Sequence, residues 1–196
     1  MAVAVEGGIA AVAVIGAWIF HIPLRDQFAP WGAPLAMAFA RGLLATLPML
    51  VAFWFLVNSK SPLVRQLREQ VEWLVGEMFP MGNVLQFALV AALAGVGEEL
   101  LFRGVVQTKL GEWTTPGIGL LLASLLFAVA HALSTLYFVF AIVVGGFLGW
   151  LAMYYHDLVA PMVAHGLYDF IALVYLSRRS RAARSARAAV GMNDND

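Results

Sequence analysis

The chain has 196 residues, 62% of them hydrophobic and 12% charged, with a mean hydropathy of +0.82. A soluble domain carries about a quarter charged residues, so there is too little polar surface here to coat a water-soluble globule. The formal net charge of zero implies no polyelectrolyte partner such as a nucleic acid, and the lack of cysteine excludes disulfides and thiolate metal sites.

Spanning the hydrocarbon of a bilayer takes about 20 apolar residues. The first such run extends from Ala2 to about Phe20, with Glu6 as its one charge. It has no basic leading region, so it does not read as a cleaved signal peptide. A short connection with Pro23, Arg25, Asp26 and Pro30 leads to a second run from about Pro34 to Val57, in which Arg41 is the lone charge. From Asn58 to Pro80 the character changes. Lys60, Arg65, Arg68, Glu69, Glu72 and Glu77 alternate with Leu63, Leu67, Val71, Leu74 and Val75 at helical spacing. This predicts an amphipathic helix lying at the membrane surface, with a solvated connector helix as the alternative.

A third span runs from about Asn83 to Val106 and contains Glu98, Glu99 and Arg103, followed by a polar break over 107–116. The apolar run from Gly117 to Tyr155 is too long for one helix. A break near Leu133-Ser134-Thr135 makes it two spans, and Gly145 and Gly149 form a GxxxG on the second, which favours close backbone packing. The sixth span runs from about Leu158 to Leu176. Residues 177–196 form a basic tail, expected to be mobile and cytoplasmic, with Arg178, Arg179, Arg181, Arg184 and Arg187. The predicted fold is all-α: one polytopic membrane domain over 1–196, of about six spans plus one interfacial helix. The tail arginines and the basic 58–80 segment mark the cytoplasmic side, which puts both termini there. The expected location is a bacterial cytoplasmic membrane.

Ionisable groups inside spans cost about 2.5–3.5 kcal/mol each on insertion scales and are rarely idle. The third span brings Glu98, Glu99 and Arg103, the fourth His131, and the sixth His165 and Asp169. Glu99 and Arg103 are four residues apart with the acid first, so Arg103 can neutralise Glu99. Glu98 points about 100° away and has no partner on its own helix. His165 and Asp169 share a face, so the acid can hold the ring's tautomer or charge, and Phe127 and His131 share another. A carboxylate of this kind can take a proton from water, and histidines with Asp169 can stabilise an oxyanion. The same groups can instead hold a divalent metal such as zinc.

These residues resemble the motifs of the CPBP (CAAX protease and bacteriocin-processing, or Abi) family of intramembrane proteases. Gly97-Glu98-Glu99-Leu100-Leu101-Phe102-Arg103 is similar to its EExxxR, Phe127-Ala128-Val129-Ala130-His131 to its FxxxH, and His165-Gly166-Leu167-Tyr168-Asp169 falls where the family has HxxxN. The resemblance covers a motif-bearing core of about 84–176. It implies an endopeptidase in which Glu98 activates water beside His131, Glu99, Arg103 and Phe127 support the site, and His165 with residue 169 binds the oxyanion. No cofactor is favoured; the metalloprotease alternative would use Zn2+ on Glu98, His131 and His165. Asp169 departs from the family amide and, when ionised, has no proton to donate. The implied partners are the lipid bilayer and a peptide or membrane-anchored protein substrate. Prenylated CAAX proteins serve as substrates in eukaryotic relatives, while bacteriocin leaders, immunity targets or sorting tails suit a small bacterial one. The competing function is a non-catalytic scaffold or a transporter-like subunit.

Overall fold

A computed structural model describes the backbone of residues 2–193 and the side chains of residues 2–186. Among the described residues the secondary structure is helical throughout, with no strand. The helices are α1 (Ala2–Ile19), α2 (Ala33–Asn58), α3 (Pro62–Met78), α4 (Val84–Glu99), α5 (Thr108–Trp113), α6 (Pro116–Ala130), α7 (Thr135–Tyr155) and α8 (Val159–Asn193). A π-helical stretch, Leu100–Gln107, joins α4 to α5, so that one rod runs unbroken from Val84 to Trp113. Among the described residues five helices, the Val84–Trp113 rod counted as one, are long and apolar enough to cross a membrane, and α6, at 15 residues, is shorter. At 1.5 Å per residue α6 covers about 22 Å, less than a hydrocarbon core. The fourth expected span, the first of the two made from the 117–155 run, is therefore a partial one.

Helix starts follow local chemistry. Asn83 accepts from the Gln86 amide at 2.9 Å, Thr115 from the Ile118 amide at 3.3 Å ahead of Pro116, and Ser134 from the Tyr137 amide at 3.3 Å. Each satisfies a backbone donor that the first turn leaves open. Asp157, 4% exposed, does the same for Ala160 at 3.0 Å and starts α8 below the surface. In the connection at 156–157, expected as an outside loop, His156 is exposed and Asp157 is the buried cap.

Two boundaries differ from the sequence reading. The polar break placed at 107–116 is helical as far as Trp113, because Gln107, Thr108 and Lys109 find partners without leaving the helix: Gln107 donates to the Gly149 carbonyl at 3.0 Å, Thr108 to the Arg103 carbonyl at 3.1 Å, and Lys109 to Glu112 at 2.7 Å. The tail after Ser177 continues α8 as helix to Asn193, and its arginines clasp α3 and the turn after it. Arg179 meets Glu72 at 2.7 Å, Arg184 meets Glu77 at 2.9 Å, and Arg181 donates to the Gly82 carbonyl. Asp194, Asn195, Asp196 and the Arg187 side chain lie outside the described residues.

Small residues let the helices touch at the points that matter. A Cβ at Gly95 would lie 2.8 Å from Gly166 Cα, so the α4 and α8 backbones cross in direct contact there. Gly145 and Gly149 face α6 and the π-helical stretch of their own chain, where their Cβ atoms would meet Phe127 and Gln107. The GxxxG therefore packs within the molecule. Large apolar side chains point outward along the bundle, including Trp18 (77% exposed), Leu44 (66%) and Phe55 (62%). An apolar perimeter of this kind is a lipid-facing surface, and the chain is an integral membrane protein.

Candidate active site

Three helices bring the polar groups together: the Val84–Trp113 rod, α6 and α8. Glu98 and Glu99 end α4, Arg103 sits in the π-helical stretch, His131 caps the C-terminus of α6, and His165 and Asp169 lie on α8. The depths agree because of helix length. Glu98 is fifteen residues before the end of the Val84–Trp113 rod, and His131 follows the 15 residues of α6, which returns antiparallel from the same turn. A full-length fourth span would have offset the two groups by several ångströms, so the shortness of α6 is what aligns them.

Glu99, Arg103, His165 and Asp169 form one connected chain. Glu99 is fully buried; its Oε2 accepts from Arg103 Nε at 3.1 Å and its Oε1 from His165 Nδ1 at 2.9 Å. His165 Nε2 lies 3.4 Å from Asp169 Oδ2. Both ring nitrogens thus face carboxylate oxygens, and Glu99 fixes the imidazole across the Gly95–Gly166 crossing. The in-helix pairings expected from spacing, Glu99 with Arg103 and His165 with Asp169, are both present. The bond that couples them, Glu99 to His165, joins residues 66 positions apart and leaves no trace in local spacing.

Glu98, 6% exposed, faces the other histidine. Its Oε2 lies 3.4 Å from His131 Nε2, but the alignment is not that of a hydrogen bond, and this buried oxygen has no hydrogen-bond partner. His131 Nδ1 donates to the Phe127 carbonyl at 2.8 Å, which aims Nε2 at Glu98. Phe127 holds the arrangement together. Its ring stacks on His131 with centroids 4.3 Å apart, meets His165 edge-on at 6.0 Å, and carries the Arg103 guanidinium at 5.1 Å.

Glu98, His131 and Asp169 open onto a cavity of about 270 Å³ enclosed mainly by apolar side chains of α2, α3, α4 and α8. α3 forms one of its walls, so this amphipathic helix covers the site as well as the core. A smaller recess of about 100 Å³ lies among Phe127, His131, His165 and Asp169. Two tyrosines and a glutamate were not singled out by motif: Tyr137 and Tyr168 line both spaces, and Glu6 on α1 lines the larger one. The signal for Glu6 was in the sequence, as the lone charge of an otherwise apolar first span. The zinc alternative needs Glu98, His131 and His165 to converge. Among the described residues no three His, Cys, Asp or Glu groups meet at metal-holding spacing.

Residues 80–171 match the family described as type II CAAX prenyl endopeptidase Rce1-like. An uncharacterized protein of Bacillus subtilis (strain 168), YpbD, is 31% identical over 98 residues, and the alignment covers 48% of this chain and 48% of that protein. The match thus spans about half the length of the curated relative. No solved structure matches the chain. All three motifs, from Glu98 to Asp169, fall within the matched residues, so it is the motif-bearing stretch of the chain that is similar to the Rce1-like family, in agreement with the CPBP resemblance of the sequence.

Proposed function

We propose that this protein is an intramembrane endopeptidase that hydrolyses a peptide bond with a water molecule activated by Glu98. The observation that carries the reading is the Glu98–His131 pair. A buried carboxylate oxygen and an imidazole nitrogen face each other at 3.4 Å with no hydrogen bond between them, on the wall of an apolar cavity. A water lying against this pair has a base for its proton and a second polar group to orient it. Glu98 takes the proton as the water oxygen bonds to the peptide carbonyl carbon. His165, braced by Glu99 and Asp169, offers Nε2–H to the oxygen that becomes negative. When the C–N bond breaks, the proton on Glu98 passes to the departing nitrogen, leaving a carboxylic acid and an amine. The chemistry is closed by these groups without a metal, and the substrate is a peptide or membrane-anchored protein whose cut segment reaches the cavity.

The test compares membranes holding the wild type with membranes holding Glu98→Gln at equal abundance. Mass spectrometry of membrane peptides should reveal products with the wild type that are missing with the variant. Removal of a general base costs about 10²–10⁴-fold in rate. A variant that retains most activity removes Glu98 from the mechanism, and a wild type that yields no product in any membrane points to the scaffold or transporter-like alternative. Purified enzyme should also keep its activity after prolonged chelation; inactivation reversed by added zinc would replace the metal-free reading.

A further inference from the structure

Glu6 is an intramembrane carboxyl outside the three motifs and outside the stretch that matches the family, residues 80–171. α1 passes hard against α4 beside the site: a Cβ at Gly97, the residue before Glu98, would lie 3.0 Å from the Glu6 carbonyl oxygen. The Glu6 side chain lines the same cavity as Glu98, His131 and Asp169. Its Oε2 is buried and has no hydrogen-bond partner.

Three carboxyls thus open on one cavity, and two of them face an imidazole, Glu98 that of His131 and Asp169 that of His165. Among the described residues Glu6 faces none. An acceptor oxygen kept buried without a donor is unfavourable, and a ligand that brings a donor relieves that cost. A peptide drawn into an apolar cavity arrives with the converse problem, because its backbone N–H groups lose water and meet side chains that cannot accept. Arg68, the guanidinium on the cavity wall, has donors and no acceptor. Glu6 is the carboxyl on that wall that catalysis leaves unused.

We propose that Glu6 is a substrate-contacting residue of this site, whose carboxylate accepts a hydrogen bond from a backbone N–H of the peptide lying in the cavity. The inference rests on the endopeptidase reading and adds to it a residue from the N-terminal helix. It gives that helix a role in substrate binding and makes the substrate class one that presents extended backbone, since an N–H already bonded within a helix cannot be given to Glu6.

The experiment uses the purified full chain and an internally quenched, C-terminally farnesylated peptide as probe. Glu6→Leu should raise KM about 10- to 100-fold and leave kcat within about threefold, while Glu6→Gln, which keeps an acceptor oxygen, should stay close to wild type. When the probe's backbone nitrogens are methylated one at a time, one position should weaken binding to the wild type and leave Glu6→Leu unchanged. A merely structural Glu6 would give no such position. An unchanged KM in Glu6→Leu, or a fall in kcat alone, overturns the inference while wild-type cleavage upholds the endopeptidase reading. The chain has no cysteine, so Glu6→Cys carries a unique thiol and supplies an independent measurement if Glu6→Leu fails to accumulate or the probe is not cut. The thiol of Glu6→Cys should react with a water-soluble thiol reagent faster than that of the lipid-facing control Val12→Cys, and excess probe should slow it about tenfold or more. Labelling as slow as the control, or unaffected by probe, overturns the inference.

Discussion

Adjacent glutamates on α4 carry opposite burdens. Glu99 is saturated by Arg103 and His165 and is fully buried, whereas Glu98 keeps an oxygen without a hydrogen bond. Truncating Glu99 to Ala leaves the Arg103 guanidinium buried and unpaired, and such a loss costs about 3–5 kcal/mol. Glu99→Ala is therefore expected to lower the yield and melting temperature in detergent. Glu98→Ala removes an unsatisfied oxygen and should melt close to wild type. Equal melting of the two variants would mean that the Arg103–Glu99–His165 chain does not hold the fold. At Asp169 the expectation turns on the ring it faces. Asp169→Asn keeps a polar group against His165 Nε2 and should retain substantial cleavage; Asp169→Leu neither orients the ring nor bonds to it and should lose most. Equal activity of the two variants would leave Asp169 with no part at the site.

At the level of helices, the site depends on how closely α4 approaches α8. The 2.9 Å bond between Glu99 and His165 exists because Gly95 and Gly166 let the two backbones touch. A side chain at either glycine meets backbone, which cannot yield as a flexible side chain would. Gly166→Val is expected to force the helices apart, lowering activity about as far as loss of a catalytic group even in the protein that still folds. Wild-type activity in purified Gly166→Val would show that the crossing is not needed. The π-helical turn belongs to the same account. It begins directly after Glu99 and still brings Arg103 back to 3.1 Å from it, the setting in which such turns recur near functional groups. α3 is held over the cavity by Glu72–Arg179 and Glu77–Arg184, so arginines that mark a cytoplasmic face by composition also close one side of the site.

For the whole molecule the open matter is orientation in the bilayer. The tail arginines and the charged α3 they pair with lie at one end of the bundle, and Trp31, 92% exposed, lies in the connection between α1 and α2. We propose that both termini face the cytoplasm. A reporter active only in the periplasm should be silent after Asp196 and active when inserted at Trp31, which suits an insertion better than the buried Asp157. Activity at the C-terminal fusion would reverse the assignment.

Hydrophobic run length and the cost of buried charge were enough, from the sequence alone, to define an all-helical membrane protein, most of its spans, the amphipathic α3, and the in-helix pairs Glu99–Arg103 and His165–Asp169. Each of these is a local property that repeats within a helical turn or a bilayer thickness. The break near 133–135 was legible for the same reason, since Ser134 is a strong helix cap. What the local pattern did not hold was any contact between distant helices. The Glu99–His165 bond, the shortness of α6 that sets the common depth of Glu98 and His131, and the arrival of Glu6 at the cavity all depend on where backbones cross, and the nearness of Glu98 to His131 was in the sequence only through the family resemblance. Those crossings are decided by the fit of Gly95 to Gly166 and of Gly97 to α1, and only the folded bundle brings these residues together.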